Sequence, residues 1–130
     1  MNQTFTILVV DDERAVRRAL QRWLARAGHR VFEAATGEEA LDLLAGVEAD
    51  VVFLDLRLPA MSGRTVYHAI AAQWPALARR VVIMSGDLED VDDREWLELH
   101  QLPTLPKPFE LAQVDRVLDA LASGERRRLG

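Results

Sequence analysis

Ile7-Leu8-Val9-Val10-Asp11-Asp12 and Val51-Val52-Phe53-Leu54-Asp55 are two apolar runs that each close on acid. A short unbroken apolar run marks a strand buried on both faces, as in a parallel sheet covered by helices. Acid at the end of such a run marks a strand whose carboxyl end emerges into a site. Two such strands side by side gather three carboxylates into one pocket. There they repel one another unless a cation lies between them or a proton is shared.

Outward from these runs, short apolar stretches alternate with amphipathic segments five times over. Strands are expected over residues 5–10, 30–35, 50–54, 80–84 and 102–106. A helix over 13–27 places Val16, Ala19, Leu20, Trp23, Leu24 and Ala27 on one face, with Arg17, Arg18, Arg22 and Arg26 mostly off it, and Gly28 stops it. Thr36 caps a second helix whose apolar positions include Ala40, Leu41 and Leu44 and which Gly46 ends. A third runs over about 64–74 to Pro75. Residues 87–101 hold seven acids against the single Arg94 and are only loosely periodic. Acids in a first turn suit the helix dipole, so a short helix is expected there. The fifth strand carries Pro103 and Pro106, which cannot donate to a ladder and so belong at a sheet edge. Val114, Val117, Leu118 and Leu121 line a last helix over about 110–122, ended by Gly124, leaving 125–130 as a solvated tail or linker stub after a domain over 1–124. Five strand–helix units imply an α/β fold with a parallel sheet and helices on both faces.

Composition bounds the rest. A chain of 130 residues, 49% hydrophobic and 28% charged, fits one packed domain. Its net charge of −5 argues against a nucleic-acid surface. With no cysteine there is neither a disulfide framework nor a thiolate site. The N-terminus shows no export signal, and no apolar stretch approaches the ~18 residues of a membrane span, so a cytoplasmic domain without membrane contact is expected.

At the predicted strand ends stand Asp11 and Asp12, Asp55, Ser85 and Lys107. Three carboxylates, a hydroxyl and an ammonium converging on one pocket suit phosphoryl transfer to a carboxylate. Magnesium binds through one or two carboxylates while keeping waters and substrate oxygens. Asp11 and Asp12 supply such a site with Asp55 as a further ligand, and the cation offsets charge in the transition state. Asp55 is then the nucleophile, with Lys107 as a point charge and the Ser85 hydroxyl as a donor for phosphoryl oxygens.

On these residues, together with Phe53-Leu54-Asp55-Leu56, Pro59-Ala60-Met61-Ser62-Gly63, Ser85-Gly86 and Lys107-Pro108-Phe109, the chain resembles the receiver domain of the two-component response regulator family, over about residues 5–122. It is chemotaxis-regulator-like, and similar to receivers carried by hybrid histidine kinases. The resemblance implies a flavodoxin-like doubly wound sheet in the order 2-1-3-4-5. It also implies Asp55 as phosphoacceptor, magnesium held by Asp11, Asp12, Asp55 and the backbone carbonyl of Arg57, Ser85 as switch hydroxyl, Lys107 as the phosphate-pairing lysine, and a cis Lys107–Pro108 bond. A histidine kinase or histidine phosphotransfer protein would be the donor, and phosphorylation would change partner binding. The domain would be a switch that catalyses its own phosphorylation and dephosphorylation, not a turnover enzyme. It would be a monomer, or a weak homodimer through the fourth helix, fifth strand and fifth helix. The chain is read as a single-domain regulator or as a receiver excised from a larger protein.

Departures from the family pattern are specific. Thr104 stands three residues before the lysine, where the family usually has Tyr or Phe, and His100-Gln101 replaces a common Gly-Ala pair. Arg57 and Asp87, at two variable positions that tune phosphoryl lifetime in this family, carry opposite charge and are expected to pair across the site mouth.

Other readings stand beside these. Asp11 or Asp12 in isolation reads as a helix cap, a reading that Asp55 and Lys107 at matching strand ends displace. Ser85 as a turn or cap residue is the lesser reading, and Lys107 as a plain surface lysine is disfavoured by Lys107-Pro108-Phe109 at a strand end. His29, His68 and His100 match no metal spacing and read as structural. The runner-up function is an interaction or scaffold domain regulated without phosphorylation. A flavodoxin-type cofactor carrier is disfavoured by the acidic loop after the first strand, and an aspartyl phosphatase by Arg57 where a second acid would stand.

Overall fold

The computed structural model describes residues 3–129, the side chains of 125–129 excepted. The Arg126–Arg128 side chains and the terminal residues 1–2 and 130 therefore lie outside the described part. Five strands, β1 (Thr6–Val10), β2 (Arg30–Ala34), β3 (Val51–Asp55), β4 (Val81–Ser85) and β5 (Thr104–Pro106), form one parallel sheet in the order β2-β1-β3-β4-β5. The sheet order is the expected one, and the proline-bearing β5 lies at an edge.

Side chains alternate along each strand, so the apolar runs feed two cores. Leu8, Val10, Val52, Leu54 and Ile83 face one side. There they meet α2 (Gly37–Gly46), α3 (Gly63–Gln73) and α5 (Val91–His100) through Ala40, Leu44, Val66, Tyr67, Ile70, Trp96 and Leu97. Ile7, Val9, Val51, Phe53, Val82 and Met84 face the other, against Leu20 and Leu24 of α1 (Arg14–Arg26) and Val114 and Leu118 of α6 (Leu111–Leu129). Burial on both faces explains why these strands read as continuous apolar runs without alternation. Each fully buried aliphatic side chain contributes about 1.5–3 kcal/mol.

Local chemistry sets the helix starts. Thr36 accepts from Glu39 N (3.1 Å), Ser62 from Thr65 N (3.3 Å) and Asp90 from Asp93 N (3.0 Å), satisfying N–H groups that have no intrahelical partner. The acid-rich segment is thus a regular ten-residue helix. Its end is unusual: Gln101 adopts the left-handed conformation (φ 51°, ψ 42°) where glycine is the common residue.

Several boundaries differ from the sequence reading, β5 for one beginning at Thr104 and α5 at Val91. The third helix ends at Gln73, and Pro75 opens a separate turn of helix, α4 (Pro75–Ala78), because proline is accommodated at a first helical position, where no N–H is needed. The helix-four, strand-five, helix-five face is therefore α5, β5 and α6 here. Glu13, not Asp11 or Asp12, takes the N-cap position of α1, without a side-chain hydrogen bond. And α6 runs on to Leu129 through Gly124. A glycine weakens a helix interior by about 1 kcal/mol but does not end it unless the backbone turns left-handed.

Candidate functional site

The carboxyl ends of β1, β3, β4 and β5 converge on one cleft. Asp11 follows β1, its N–H bonded to Ala34 O of β2 (3.1 Å) and its carbonyl accepting from Arg17 Nη1 (2.7 Å). Asp55 ends β3, Ser85 ends β4, and Lys107 follows β5, where its N–H donates to Ser85 O (2.7 Å). The Lys107–Pro108 bond is cis. Asp11 and Ser85 are fully buried, Asp55 is 4% exposed, and Asp12 stands at the surface.

The loop after β3 explains how Asp55 is held. Arg57 N donates to Asp55 Oδ1 (3.0 Å), and Gly63 N, at the start of α3, returns to Leu56 O (3.1 Å). Gly63 is required there: a Cβ would stand 2.4 Å from Asp55 O and 2.7 Å from Leu56 Cα. The helix start is thus packed directly on the backbone that carries Asp55.

Lys107 Nζ lies between two buried carboxylates, 2.6 Å from Asp11 Oδ2 and 3.2 Å from Asp55 Oδ2, with Glu13 Oε1 at 3.6 Å. Burial pushes the Asp55 carboxyl above its ordinary range. The Arg57 N–H pulls it down, the Asp11 charge adds to the rise, and Lys107 opposes it. Burial alone would lower Lys107, but its hydrogen bond to Asp11 and the charges of Asp55 and Asp11 hold the ammonium above the usual lysine value. Asp11 Oδ1 accepts from Glu13 N (2.8 Å), and Asp11 Oδ2 is left to the Lys107 ammonium alone. One lysine is shared among more negative charge than it neutralises.

Asp11, Asp12 and Asp55 can each offer a carboxylate oxygen within 4.8 Å of the others. Three clustered carboxylates, two of them buried and sharing one ammonium, fit a hard divalent cation. The Ser85 hydroxyl accepts from Asp87 N (3.2 Å), which leaves its own proton to donate into the cleft.

The expected Arg57–Asp87 pair is not formed. Arg57 instead pairs with Asp93 and, at 3.6 Å, with Asp90, because capping brings both acids of the α5 N-terminus over the loop. Asp93 is also bound by Arg64 Nη2 (3.2 Å), a residue that periodicity does not single out. Glu13, which directly follows Asp11-Asp12, joins the site through Lys107, although nothing in its sequence position marks it. Thr104 turns its hydroxyl to Leu102 O (3.4 Å) and offers no ring. His68 and His100, far apart in sequence, meet at 5.3 Å between ring centroids beside Trp96, whose Nε1 donates to His68 Nε2 (3.2 Å).

Fold and site together define an α/β module with an acid-lined, cation-seeking cleft at the carboxyl edge of a doubly wound parallel sheet. The chain belongs to the response regulator receiver domain family, whose family model matches residues 7–119. It is 32% identical over 117 residues to sporulation initiation phosphotransferase F of Bacillus subtilis, covering 88% of this chain and 89% of that protein. It is 37% identical over 111 residues to sensor kinase CckA of Brucella abortus, covering 84% of this chain but only 12% of the kinase's length. Among solved structures, the receiver domain of sensor histidine kinase PA1611 from Pseudomonas aeruginosa, with magnesium in its active-site cleft, is similar at a TM-score of 0.78 and 26% identity, covering 91% of this chain and 97% of that one. The chain is therefore a receiver domain of two-component signalling. Among the described residues, no helix is long and apolar enough to cross a membrane.

Proposed function

We propose that this receiver is a cytoplasmic phosphorylation switch with Asp55 as phosphoacceptor. The observation that carries this reading is the buried Asp11–Lys107–Asp55 cluster, in which one ammonium bridges two carboxylates at the strand ends. The donor is the phosphohistidine of a histidine kinase or histidine phosphotransfer protein. An Asp55 carboxylate oxygen attacks phosphorus as the P–N bond breaks, and the departing imidazole nitrogen keeps the electron pair and takes a proton. Lys107 Nζ turns from Asp55 Oδ2 to a phosphoryl oxygen, retaining Asp11 as counter-charge, while the Ser85 hydroxyl donates to another oxygen. Arg57 N–H keeps Asp55 Oδ1 in place, so that Oδ2 is the attacking atom.

Magnesium, held by Asp11, Asp12, Asp55 and the Arg57 carbonyl, would neutralise the charge of the incoming phosphoryl group. Hydrolysis breaks the P–O bond to Asp55 and restores the carboxylate, so the chain is a switch and substrate without turnover of an external compound. The receiver is the unit over 1–124, with 125–130 as a tail or linker stub. It works as a monomer, or as a weak homodimer through α5, β5 and α6.

The test is to incubate the protein with magnesium and acetyl phosphate and weigh it intact. A gain of ~80 Da that Asp55→Asn abolishes supports the reading. Absence of any gain while magnesium binds would instead favour an interaction module regulated without phosphorylation.

A further inference from the structure

We propose that Asp93, clamped by Arg57 and Arg64, is the point at which the charge on Asp55 is reported to α5. The proposal rests on Asp55 being the phosphoacceptor.

Helix α5 is held down unevenly. Its buried residues are Asp93, Trp96 and Leu97, so the only buried side chain of its first turn is a carboxylate. The apolar residue at that end, Val91, is 62% exposed. The N-terminal half of α5 is therefore fastened by an ion pair where helices ordinarily use apolar contacts. Asp93 is 6% exposed and receives two guanidinium groups, Arg57 from the loop after Asp55 and Arg64 from the first turn of α3. Arg64 is further fixed by the Asp92 carbonyl (2.6 Å) and lies over the Trp96 ring, 5.4 Å from its centroid. Arg64 is thus tied to Asp93, the Asp92 carbonyl and the Trp96 ring at once, and is the fixed member of the clamp.

Arg57 is the movable member of the clamp. Its side chain is largely exposed, it stands two residues after Asp55, and its N–H is bonded to the Asp55 carboxylate. A phosphoryl group on Asp55 carries up to about two negative charges, about one more than the carboxylate it replaces, within reach of that guanidinium, and phosphate geometry suits its paired N–H donors. Asp93 and the phosphoryl group then compete for one cation. When Arg57 turns to the phosphoryl group, Asp93 keeps Arg64 alone, and a buried carboxylate that loses a donor regains it by moving toward water. The first turn of α5 loosens while Trp96 and Leu97 anchor the second half. The two states differ by one shared cation.

Hydrogen exchange of the α5 amides reads this directly, with beryllofluoride and magnesium standing in for the acyl phosphate and fluorine NMR reporting adduct formation. In the parent, adduct formation is expected to speed exchange in the first turn of α5 by about tenfold. In Asp93→Asn, and in Arg57→Ala, exchange is already fast and the adduct adds nothing. A clamp with a purely structural role would shift both states in parallel and leave the beryllofluoride response intact. That result, or an adduct in the parent without faster α5 exchange, overturns the proposal while the phosphoacceptor reading stands. Failure of any adduct to form at Asp55 removes both.

Discussion

Gly63→Ala tests the packing on which the position of Asp55 depends. The added methyl would lie 2.4 Å from Asp55 O, 2.7 Å from Leu56 Cα and 3.1 Å from Asp55 C. All three are backbone atoms, so no side-chain rotation relieves the overlap. Either the start of α3 or the end of β3 must move by about 1 Å, and forced overpacking of this kind costs about 3 kcal/mol. Unfolding entropy of about 2.1 cal/mol/K per residue makes this a fall in Tm of roughly 10 °C for a chain of this length. The same shift misplaces the Asp55 carboxylate, and a 1 Å error in a reacting group costs about a hundredfold in rate. The assay pairs thermal unfolding with the rate of phosphorylation by acetyl phosphate. Gly46→Ala is the matched control, since a Cβ there meets nothing within 4 Å and alanine is the better helix former by about 0.5–1 kcal/mol. If Gly63→Ala melts within about 2 °C of that control, the argument that a glycine seats α3 on the phosphoacceptor strand is wrong.

Asp55→Asn should raise stability at neutral pH without magnesium, by about 1 kcal/mol, because it removes a buried charge that Lys107 shares with Asp11. The sign follows from the raised carboxyl: the folded state holds that proton to higher pH than the unfolded chain, so the charge costs stability as pH rises above the ordinary carboxylate range. The gain in Tm should fade at acid pH, and an equal gain at all pH values would contradict it. His29, lowered mainly by burial and accepting Phe5 N–H at Nδ1 (3.0 Å), gives the opposite trend. The unfolded chain protonates it near pH 6.5 while the folded state resists, so stability falls as pH drops through that value, a loss that urea titrations should find absent in His29→Gln. Gln101→Gly should stabilise by about 1 kcal/mol, because only the left-handed strain of a side chain is removed; an unchanged urea midpoint would refute it.

The elements that the sequence reveals best are those whose burial is uniform. Ile7–Val10 and Val51–Leu54 are read as strands because both faces are covered, and the acids after them mark the cleft because carboxylates do not otherwise follow buried runs. Gly124 misleads, since a glycine's residue type does not tell whether the chain turns left-handed there. Residues 87–101 are loosely periodic because the helix buries Asp93 and exposes Val91, an inversion that no hydrophobic pattern can show.

Sequence by itself thus determined the layered α/β class, the acid-ended strands and the set of residues at their carboxyl ends, because polarity reports burial and strand ends face the ligand side. Only the tertiary structure decided how those groups pair. It placed Lys107 between Asp11 and Asp55, brought α3 onto the Asp55 backbone at Gly63, and chose Asp93 and Asp90 over Asp87 as partners of Arg57. With seven acids crowded into 87–101, charge alone leaves the pairing degenerate. The helix cap and the crossing of α5 over the loop remove that degeneracy, because an ion pair forms where geometry has already brought the groups together.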